Sequence, residues 1–299
     1  MEIYGSGGEE MNKIPISVII LTYKEEKNIE ECLKSVYQWA DEIFILDFYS
    51  TDKALEIVRK YTDKIYQHPF ETQATQFNWA LDNLPITTDW ILRLDADERV
   101  TPELRDELIR KLPTLSKGIT ALYVRRRVYF MGRWIKHGGY YPTWLLRLWR
   151  KRKARYEERA MDEHVILSEG KTLRLKHDII DWNHKGLSFW VEKHNQFASR
   201  EMQAILATYN DQLELNVSYL APSVVGTQEQ RKRWLKERVY LRMPLFFRSF
   251  LYFLYRYFFR LGFLDGKEGL IFHFLQCFWY RFLVTQLFTI PQRKPMYWQ

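Results

Sequence analysis

Cysteine is scarce in this sequence: its 299 residues include only two, Cys32 and Cys277. Two cysteines form no disulfide framework, and no Cys/His spacing typical of zinc is present, so we expect a protein of a reducing cytoplasm. Residues 1–13 lack the apolar run of a signal peptide, and we interpret them as a flexible lead-in. The chain also lacks internal repeats of about 20 to 50 residues, which excludes solenoids and propellers.

Positive charge and aromatic side chains, by contrast, are in excess. The formal net charge is +8, and 16% of the residues are aromatic, many of them toward the C-terminus. A basic chain favours an anionic partner, whether a nucleic acid, a phosphorylated substrate or an acidic lipid. Aromatic residues mixed with arginine and lysine are more typical of a membrane interface than of a duplex groove.

The first part of the chain alternates between short apolar runs and segments with helical spacing. The predicted strands cover residues 16–22, 42–47, 64–67 and 89–94. The predicted helices cover residues 25–39, 53–61, 73–84 and 102–112. This alternation predicts an α/β fold with a doubly wound, mostly parallel sheet. Ligands of such sheets bind beyond the carboxyl ends of the strands. The polar residues expected at those ends are Thr22, Tyr23, Asp47, Asp95 and Asp97.

Carboxylates at two of these strand ends carry the first functional hypothesis. Asp95-Ala96-Asp97-Glu98 crowds three carboxylates into one turn, which is unfavourable unless a cation shares the site. Oxygen ligands suit Mg²⁺ or Mn²⁺, which also bind diphosphates; the alternative is an acidic loop that begins a helix. Asp47 can accept a hydrogen bond from the N–H of a base, while residues 50–52 cap the next helix.

Several segments together resemble the inverting family 2 glycosyltransferases, whose nucleotide-binding half has the GT-A fold. These segments are Pro15–Glu26, Asp47 with Ser50-Thr51-Asp52, and Asp95–Glu98, and their order and spacing match that family. Within the family, the chain is most similar to the bacterial group of lipopolysaccharide core glucosyltransferases. That narrower resemblance also rests on Gln76-Phe77-Asn78 and on Gly262–Gly266.

The resemblance implies a UDP-sugar donor, with UDP-glucose foremost, and a divalent cation, Mg²⁺ or Mn²⁺. Asp97 would be the principal metal ligand, with Asp95 and a histidine, His184 or His177, completing the shell. Phe77 replaces a basic residue that is common in the family, so other arginines would contact the diphosphate. The implied nucleotide-sugar site consists of Thr22, Tyr23, Glu25, Asp47, Gln76, Asn78 and Asp95.

The acceptor side needs a carboxylate base that deprotonates the attacking hydroxyl in an inverting transfer. The resemblance places this base at Glu163, with Asp162 as the second candidate; the alternative is a charged surface turn. Residues 123–153 are dense in Arg, Tyr and Trp, which bind phosphates and stack on sugar rings, although a β-hairpin with ordinary packing aromatics is an alternative. The residues assigned to acceptor binding are Trp134, Tyr141 and Arg147.

The C-terminal third predicts amphipathic, membrane-associating helices. Over residues 231–261, broken near Pro244, arginines fall on one side of a helix and phenylalanines and leucines on the other. Residues 269–290 reach the roughly 20 apolar residues of a spanning helix, but the central Arg281 favours attachment to one leaflet. The alternative is that these helices pack on the catalytic domain or on a second subunit.

Combined, these expectations describe an inverting hexosyltransferase whose partners do not include a nucleic acid. Residues 14–185 would form a GT-A domain, divided into a nucleotide-sugar half (14–112) and an acceptor half (113–185). Residues 186–299 would attach it to the cytoplasmic face of the inner membrane, near a lipid-linked or lipopolysaccharide-core saccharide acceptor. Two other classes stay open: a sugar nucleotidyltransferase, although no glycine-rich loop follows the first strand, and a non-enzymatic membrane- or nucleic-acid-binding protein, for which the strand-end carboxylates have no purpose.

Overall fold

Strands alternate with helices through the first half of the computed structural model, which describes residues 13–157, 164–210, 223–225, 230, 231, 234 and 245–289. The strands are β1 (Ile14–Thr22), β2 (Ala40–Asp47), β3 (Ile65–Gln67), β4 (Trp90–Asp95), β5 (Glu98–Val100), β6 (Ile119–Phe130), β7 (Arg133–Ile135), β8 (Thr143–Arg150), β9 (Ala154–Tyr156), β10 (Val165–Leu167) and β11 (Lys171–Trp182). The α-helices are α1 (Ile29–Lys34), α2 (Ala54–Val58), α3 (Gln73–Asn83), α4 (Pro102–Lys111), α5 (Gly186–Asn210), α6 (Leu245–Leu254), α7 (Gly266–His273) and α8 (Tyr280–Thr289).

A mixed sheet with strand order β3-β2-β1-β4-β8-β6-β11-β5 forms the centre, and β7 pairs with β6 at its side. Strands β3, β2, β1 and β4 are mutually parallel, and β6 and β11 run in the same direction as they do. The intervening β8 and the two short strands β5 and β7 run the opposite way. The predicted α/β architecture with a mostly parallel sheet is confirmed.

Apolar residues of β1 enter both faces of the sheet, which is why its sequence is rich in β-branched residues. Ile16, Val18 and Ile20 face one buried layer together with residues of α1 and α4. Ile19 and Leu21 face the other layer, with Phe77 of α3 and Trp149 of β8. Each fully buried isoleucine or leucine contributes about 1.5 to 3 kcal/mol, so these two layers fix the position of the strand ends.

Capping residues set the beginnings of α3 and α4. The Thr101 hydroxyl accepts from the Leu104 N–H at 3.2 Å, and Pro102 occupies the first helical position. Thr72 and Thr75 form a reciprocal capping box at the start of α3. The predicted helix over residues 25–39 is shorter than expected, because regular helix is confined to Ile29–Lys34.

Strand β5 was not predicted, because its sequence is part of the acidic loop. Glu98–Val100 pairs with Asp181–Ile179 of β11, a partner 80 residues away in the sequence. A hairpin between β6 and β7 lies within the region 123–153, and acceptor binding by the aromatic residues there stays a prediction. No local sequence pattern predicts a strand that forms only by pairing with a distant segment.

The C-terminal helices pack back on the rest of the molecule. Phe272 of α7 lies in a cluster with Phe130 and Ile135 of the β6–β7 hairpin. Glu201 of α5 accepts hydrogen bonds from the Tyr280 hydroxyl at 2.6 Å and from Arg281 at 2.8 Å. One side of these helices therefore packs on the rest of the protein, which agrees with the alternative of packing on the catalytic domain.

Arg248 and Arg256 face inward and several phenylalanines face outward, the reverse of an amphipathic helix on a protein core, whereas Arg260 is exposed. Arg248 is buried and donates to the Thr285 hydroxyl at 3.1 Å, and the Arg256 guanidinium carbon lies 4.4 Å from the Tyr140 ring centre. The exposed large apolar residues are Phe247, Phe250, Phe258, Phe259, Leu261, Phe263, Leu264, Leu270 and Phe274. Of residues 231–244, which belong to the predicted helix, the structure describes only residues 231 and 234.

None of the helices within the described ranges combines the length and the apolarity that a membrane crossing requires. The segment from α7 to α8 bends through a π-helical stretch, Phe274–Trp279, and its Arg281 is paired with Glu201. The expected attachment to a single leaflet stays a prediction.

Candidate nucleotide-sugar site

The carboxyl ends of β1, β2 and β4 meet at one edge of the sheet. Thr22 lies opposite Asp47, and Leu21 lies opposite Asp95, in two parallel ladders that share β1. Parallel pairing in this register brings the polar residues after each strand together. The structure therefore gathers the predicted residues Thr22, Asp47 and Asp95 at one edge.

Asp47 is fully buried and has one carboxylate oxygen without a partner. Its Oδ2 accepts from the Ser50 N–H and from the Gln67 amide, both at 2.9 Å, whereas Oδ1 accepts no hydrogen bond. The neighbouring Thr22 hydroxyl is also buried and unpaired. Unsatisfied buried polar atoms are rare in native proteins, and two side by side indicate a binding place for a polar ligand.

The loops after β1 and β2 are tied together around this pocket. The Lys24 N–H donates to the Ser50 hydroxyl at 2.8 Å, and the Glu26 N–H donates to Asp52 at 3.0 Å. Asp52 also accepts from the N–H of Ala54, the first residue of α2, as the capping hypothesis expected. Tyr23, held in this double loop, leaves 48% of its surface exposed, enough for a flat ligand to stack on its ring.

Two buried arginines hold Asp95 and Glu98. Arg93 donates to Asp95 Oδ1 at 3.0 Å, Arg147 donates to Asp95 Oδ2 at 3.2 Å, and Arg147 also pairs with Glu98. Although burial opposes it, these guanidinium groups hold the pKa of Asp95 below its usual range. For Glu98 burial prevails, aided by the charges of Asp95 and Asp181, and its pKa rises to about 7 despite Arg147.

Asp97 is the carboxylate of this loop that keeps an oxygen open. Its Oδ2 accepts from the Asn183 amide at 2.9 Å and lies 4.0 Å from Lys193 Nζ, while Oδ1 accepts no hydrogen bond from the described residues. The Trp182 N–H donates to the Asp97 carbonyl oxygen, which fixes the backbone of the loop against the end of β11. Asp97 is therefore positioned with a lone pair available to a cation.

Further charged groups surround Asp97. Glu25 pairs with Lys185 at 2.7 Å and accepts from the Asn28 amide at 2.6 Å; burial, and then the charge of Asp97, raise its pKa. Burial also raises the pKa of Asp181 to about 6, again with a contribution from Asp97. Carboxylates that disfavour one another's ionisation in this way are the environment in which a cation gains most.

A divalent cation fits this arrangement with the substrate as a co-ligand. No three His, Cys, Asp or Glu side chains converge as a closed metal cage in the described part of the chain. Mg²⁺ commonly binds through one or two carboxylates and substrate phosphate oxygens, which the open oxygen of Asp97 allows. The ring of His184, predicted as a further ligand, accepts from Arg99 at 2.6 Å, and that of His177 contacts Glu107.

Gln76, Asn78 and Arg147 occupy more interior positions than a ligand-lining role suggests. The Asn78 amide donates to the Tyr156 carbonyl at 3.0 Å and accepts from the Tyr156 N–H at 2.9 Å, which ties α3 to β9. Gln76 is buried and bonded to His68 and to the Pro69 carbonyl, below the loop after β3. Arg147, predicted to bind the acceptor, lies beneath the acidic loop and is 5% exposed.

The predicted acceptor residues Trp134 and Tyr141 lie together, with ring centres 5.0 Å apart in an edge-to-face contact. The Tyr141 hydroxyl donates to Asp178 of β11 at 3.1 Å. The candidate bases Glu163 and Asp162 lie outside the described residues, so their roles stay predictions.

Sequence reasoning missed Arg93, Asn183 and Lys193. Arg93 carried a signal, because it is a charged residue within the apolar strand Trp90–Asp95 and two positions before an aspartate. Asn183 and Lys193 follow β11 and approach Asp97 only through the tertiary fold, so no local pattern indicated them.

A parallel half-sheet with carboxylates and unpaired polar atoms at its carboxyl edge defines a nucleotide-binding α/β domain. The sequence model described as Glycosyl transferase family 2 matches residues 17–174, more than half of the chain. The chain belongs to glycosyl transferase family 2. Among solved structures, the mannosyltransferase PcManGT from Pyrobaculum calidifontis, in complex with GDP-Man and Mn2+, is similar, with a TM-score of 0.52. The two are 14% identical over 93% of this chain and 87% of that chain, a likeness that shows the fold alone.

Two curated relatives are bacterial glycosyltransferases. The lipopolysaccharide core biosynthesis glycosyltransferase LpsC of Rhizobium meliloti (strain 1021) is 33% identical over 168 residues, which are 53% of this chain and 59% of that protein. An uncharacterized glycosyltransferase of Rickettsia bellii (strain RML369-C) is 37% identical over 93 residues, 31% of each chain. The chain therefore spans less than two thirds of the length of either relative. The similarity to LpsC confirms the narrower resemblance inferred from the sequence.

Proposed function

We propose that the chain is an inverting hexosyltransferase that transfers a sugar, with glucose foremost, from a UDP-sugar to a saccharide acceptor. The observation that carries this proposal is the buried, unpaired Oδ1 of Asp47 beside the unpaired Thr22 hydroxyl, at the same sheet edge as Asp97. A pyrimidine base offers an N–H to such an oxygen, and a diphosphate lies naturally beside a carboxylate-bound cation.

The donor would lie across the carboxyl edge of the sheet. Asp47 would accept the base N–H, the exposed Tyr23 ring would stack on the base, and Thr22 would bind the base or ribose. The paired Arg93 and Arg147 keep Asp95 ionised beside the diphosphate and set the position of the loop. Because those guanidinium groups are already bound to the protein, positioning is the role that their contacts support.

Mg²⁺ or Mn²⁺, held by Asp97 with Asp95 nearby, would neutralise the charge that develops on the departing nucleoside diphosphate. Glu25, Asp181 and Lys193 would set the field around it. Lys193 is 4.0 Å from Asp97, and the charges of Asp97, Asp181 and Glu25 raise the pKa of the lysine, against the effect of burial. This lysine therefore stays protonated beside the site and can stabilise negative charge there.

On the acceptor side, Glu163 would take the proton of the attacking hydroxyl, with Asp162 as the alternative base. The hydroxyl oxygen forms the new bond to the anomeric carbon as the bond to the diphosphate breaks, so attack from the opposite face inverts the configuration. In the sequence these two carboxylates lie between β9 and β10, which pack in the same layer as Phe77 and Trp149.

The exposed phenylalanine face favours a membrane-bound acceptor. Phe258 and Phe259 expose 52% and 78% of their surfaces, and Arg260, which follows them directly in the sequence, is also exposed. A large apolar patch rimmed by basic residues is typical of a surface that enters an anionic lipid headgroup layer. We therefore propose peripheral attachment at the cytoplasmic face of the inner membrane, and a lipid-linked or lipopolysaccharide-core saccharide as acceptor.

Replacing Asp47 by asparagine should weaken UDP binding by about 10- to 100-fold, because a hydrogen bond to a buried charge contributes about 1.5 to 3 kcal/mol. Isothermal titration of UDP in the presence of Mn²⁺ measures this loss. Asp63→Asn, a change at an exposed position before β3, is the matched control and should bind UDP as the wild type does. Equal affinity of Asp47→Asn and wild type would remove the base-binding role.

The double variant Phe258→Ser, Phe259→Ser should bind lipid vesicles at least about tenfold more weakly, since burying a phenylalanine contributes about 1.5 to 3 kcal/mol. Co-sedimentation with phosphatidylglycerol–phosphatidylethanolamine vesicles measures the effect. Tyr37→Ser removes a ring that is 38% exposed in the turn after α1 and should leave binding unchanged. If the wild type does not sediment with these vesicles, the proposed membrane attachment is wrong.

Hydrolysis of a donor panel without acceptor tests the function as a whole. We expect release of UDP from one UDP-hexose in the presence of Mn²⁺ or Mg²⁺, and none after chelation. A sugar nucleotidyltransferase would instead form pyrophosphate from a nucleoside triphosphate and a sugar phosphate. Indifference to every nucleotide sugar, together with salt-sensitive oligonucleotide binding, would favour the non-enzymatic alternative.

A further inference from the structure

Cations lie on the faces of aromatic rings beside the predicted acceptor residues. The guanidinium carbons of Arg174 and Arg125 are 5.0 and 5.8 Å from the ring centre of Trp144. Arg125 is also 5.6 Å from the ring centre of Tyr141. Cations and rings therefore alternate along one surface, in the geometry of cation–π contacts.

Trp134 continues this surface beyond Tyr141. Its ring lies 4.9 Å from the guanidinium carbon of Arg127 and 5.4 Å from Lys136 Nζ. We call the surface formed by these cations and rings the arginine–aromatic strip; its members are Arg125, Arg127, Lys136, Arg174, Trp134, Tyr141 and Trp144.

The arginine–aromatic strip keeps an excess of positive charge. The buried carboxylate of Asp178 serves both Arg125, at 2.7 Å, and Arg127, at 2.6 Å. Arg174 and Lys136 are exposed and form no ion pair with the described residues. Glu103 is an exposed carboxylate near Arg127; its pKa is lowered first by its own backbone N–H and less by that arginine. Two cations at the open ends of the strip are thus left for a ligand.

A buried donor in the arginine–aromatic strip also has no acceptor. The indole Nε1 of Trp134 is shielded from solvent and makes no hydrogen bond with the described residues. The side chains of the strip are donors, apart from the Tyr141 hydroxyl, which can also accept, and the Asp178 oxygens beside the strip already accept from Arg127 and Tyr141. A ligand that satisfies it must bring acceptor oxygens, preferably charged ones, together with a ring that stacks on the aromatic faces.

The strip lies on the face of the sheet against which β9 and β10 pack. Arg125 and Arg127 lie on the same face of β6, opposite to Arg126, which pairs with Asp181 near Asp97 at 3.4 Å. Ala121, an even number of residues from Arg125, packs in the layer that contains β9 and β10. Residues 162 and 163 connect those two strands in the sequence.

We infer that the arginine–aromatic strip binds an anionic group, a phosphate or a carboxylate, carried on a ring of the acceptor saccharide. This inference rests on the proposed function, because it names the acceptor class of the same site. The aromatic faces stack on the ring, while the cation at one end of the strip, Arg174 beside Trp144 or Lys136 beside Trp134, donates to the oxygens. Arg125 and Arg127, already paired with Asp178, orient the rings rather than bind the anion alone.

Sugar ligands that differ only in charge test the inference. Glucose 6-phosphate, glucuronate and glucose are titrated into the full chain, and binding is followed by ³¹P or ¹H NMR line broadening. We expect at least about tenfold tighter binding of one of the two anions than of glucose, because charge-assisted hydrogen bonds discriminate by that order. Whichever anion binds more tightly distinguishes a phosphorylated acceptor from an acidic-sugar acceptor.

Exposed members of the strip supply the variants, so that the buried Asp178 pair is left intact. At least one of Arg174→Gln and Lys136→Gln, which change opposite ends of the strip, should weaken binding of the preferred anion at least about fivefold. Wild-type affinity in both variants would overturn the inference. Arg110→Gln, which removes an equal charge from α4, is the matched control and should bind as the wild type does. Thermal unfolding verifies that each variant is folded.

Three other outcomes overturn the inference: equal binding of all three sugars, an equal loss in Arg110→Gln, or a loss of UDP affinity as large as that of the anion. The last outcome would assign the arginine–aromatic strip to the donor diphosphate. Failure of the proposed function is seen separately, as absence of metal-dependent UDP-hexose hydrolysis in a wild type that still binds the sugar anion.

Discussion

We expect Asp97→Asn to abolish sugar transfer and to lower metal-dependent UDP-sugar hydrolysis by at least about 1000-fold, a loss of about 4 kcal/mol in transition-state stabilisation. The physical reason is that Asp97 has an oxygen whose lone pairs are available to a cation in the described site. The oxygens of Asp95, by contrast, already accept hydrogen bonds from Arg93 and Arg147. Initial rates at saturating Mn²⁺, with UDP release as the readout, measure the effect.

Two companion variants separate the metal role of Asp97 from the other roles proposed at the site. Glu163→Gln should abolish transfer but keep Mn²⁺-dependent UDP binding, because a base acts on the acceptor and not on the nucleotide. Asp41→Asn, an exposed change at the start of β2, should leave both unchanged. Full activity of Asp97→Asn would exclude this residue as a metal ligand, and full activity of Glu163→Gln would move the base to Asp162.

Gly138→Ala should destabilise the fold by more than about 3 kcal/mol, since over-packing of a tight core commonly takes 1–3 kcal/mol and positive φ adds strain. A Cβ on Gly138 would lie 1.9 Å from Cε1 of His273, and the residue has a φ of +66°. The backbone of Gly262 also lies close to the His273 ring, because a Cβ on Gly262 would be 2.5 Å from Nε2, so the ring has little room to move. Urea unfolding gives the free-energy difference.

Other glycines of the chain provide controls for each part of that effect. Gly132 has a φ of +80° but open space, so Gly132→Ala reports backbone strain alone, about 1 to 2 kcal/mol. Gly118 has neither positive φ nor a contact closer than 3.9 Å, so Gly118→Ala should change stability by less than about 1 kcal/mol. Adding His273→Ala to Gly138→Ala should recover part of the loss; if the double variant is no more stable than expected from additivity, the clash is not the cause.

Gly138 matters for function because it lies between the acceptor residues and the C-terminal helices. The Gly138 N–H donates to the Arg260 carbonyl at 2.8 Å, and His137 is held by Asp265 through its backbone N–H at 2.8 Å and its ring at 2.6 Å. The segment that exposes Phe258 and Phe259 therefore also fixes the loop that leads to Tyr141. We therefore expect a change in the segment that exposes Phe258 and Phe259 to alter the position of the loop that leads to Tyr141.

The sequence allowed the nucleotide half of the fold to be predicted because its strands are buried on both faces. A strand such as Ile14–Thr22 must then be apolar throughout, and it ends where polar residues begin. Parallel order brings those ends together, so Asp47, Asp95 and Asp97 could be placed at one edge without coordinates. The helix caps at Thr101 and Thr72 are likewise local, since the donor and acceptor are three residues apart.

What only the tertiary structure decided is how those carboxylates are held and which side of the C-terminal helices faces outward. Arg93 and Arg147 reach Asp95 from different strands, and Asn183 and Lys193 reach Asp97 from beyond β11. The helical periodicity predicted that arginines and phenylalanines lie on different sides of the helix, but not which side faces the protein interior. That choice depends on partners such as Tyr140 and Thr285, which lie far away in the sequence and leave no periodic trace in the helix itself.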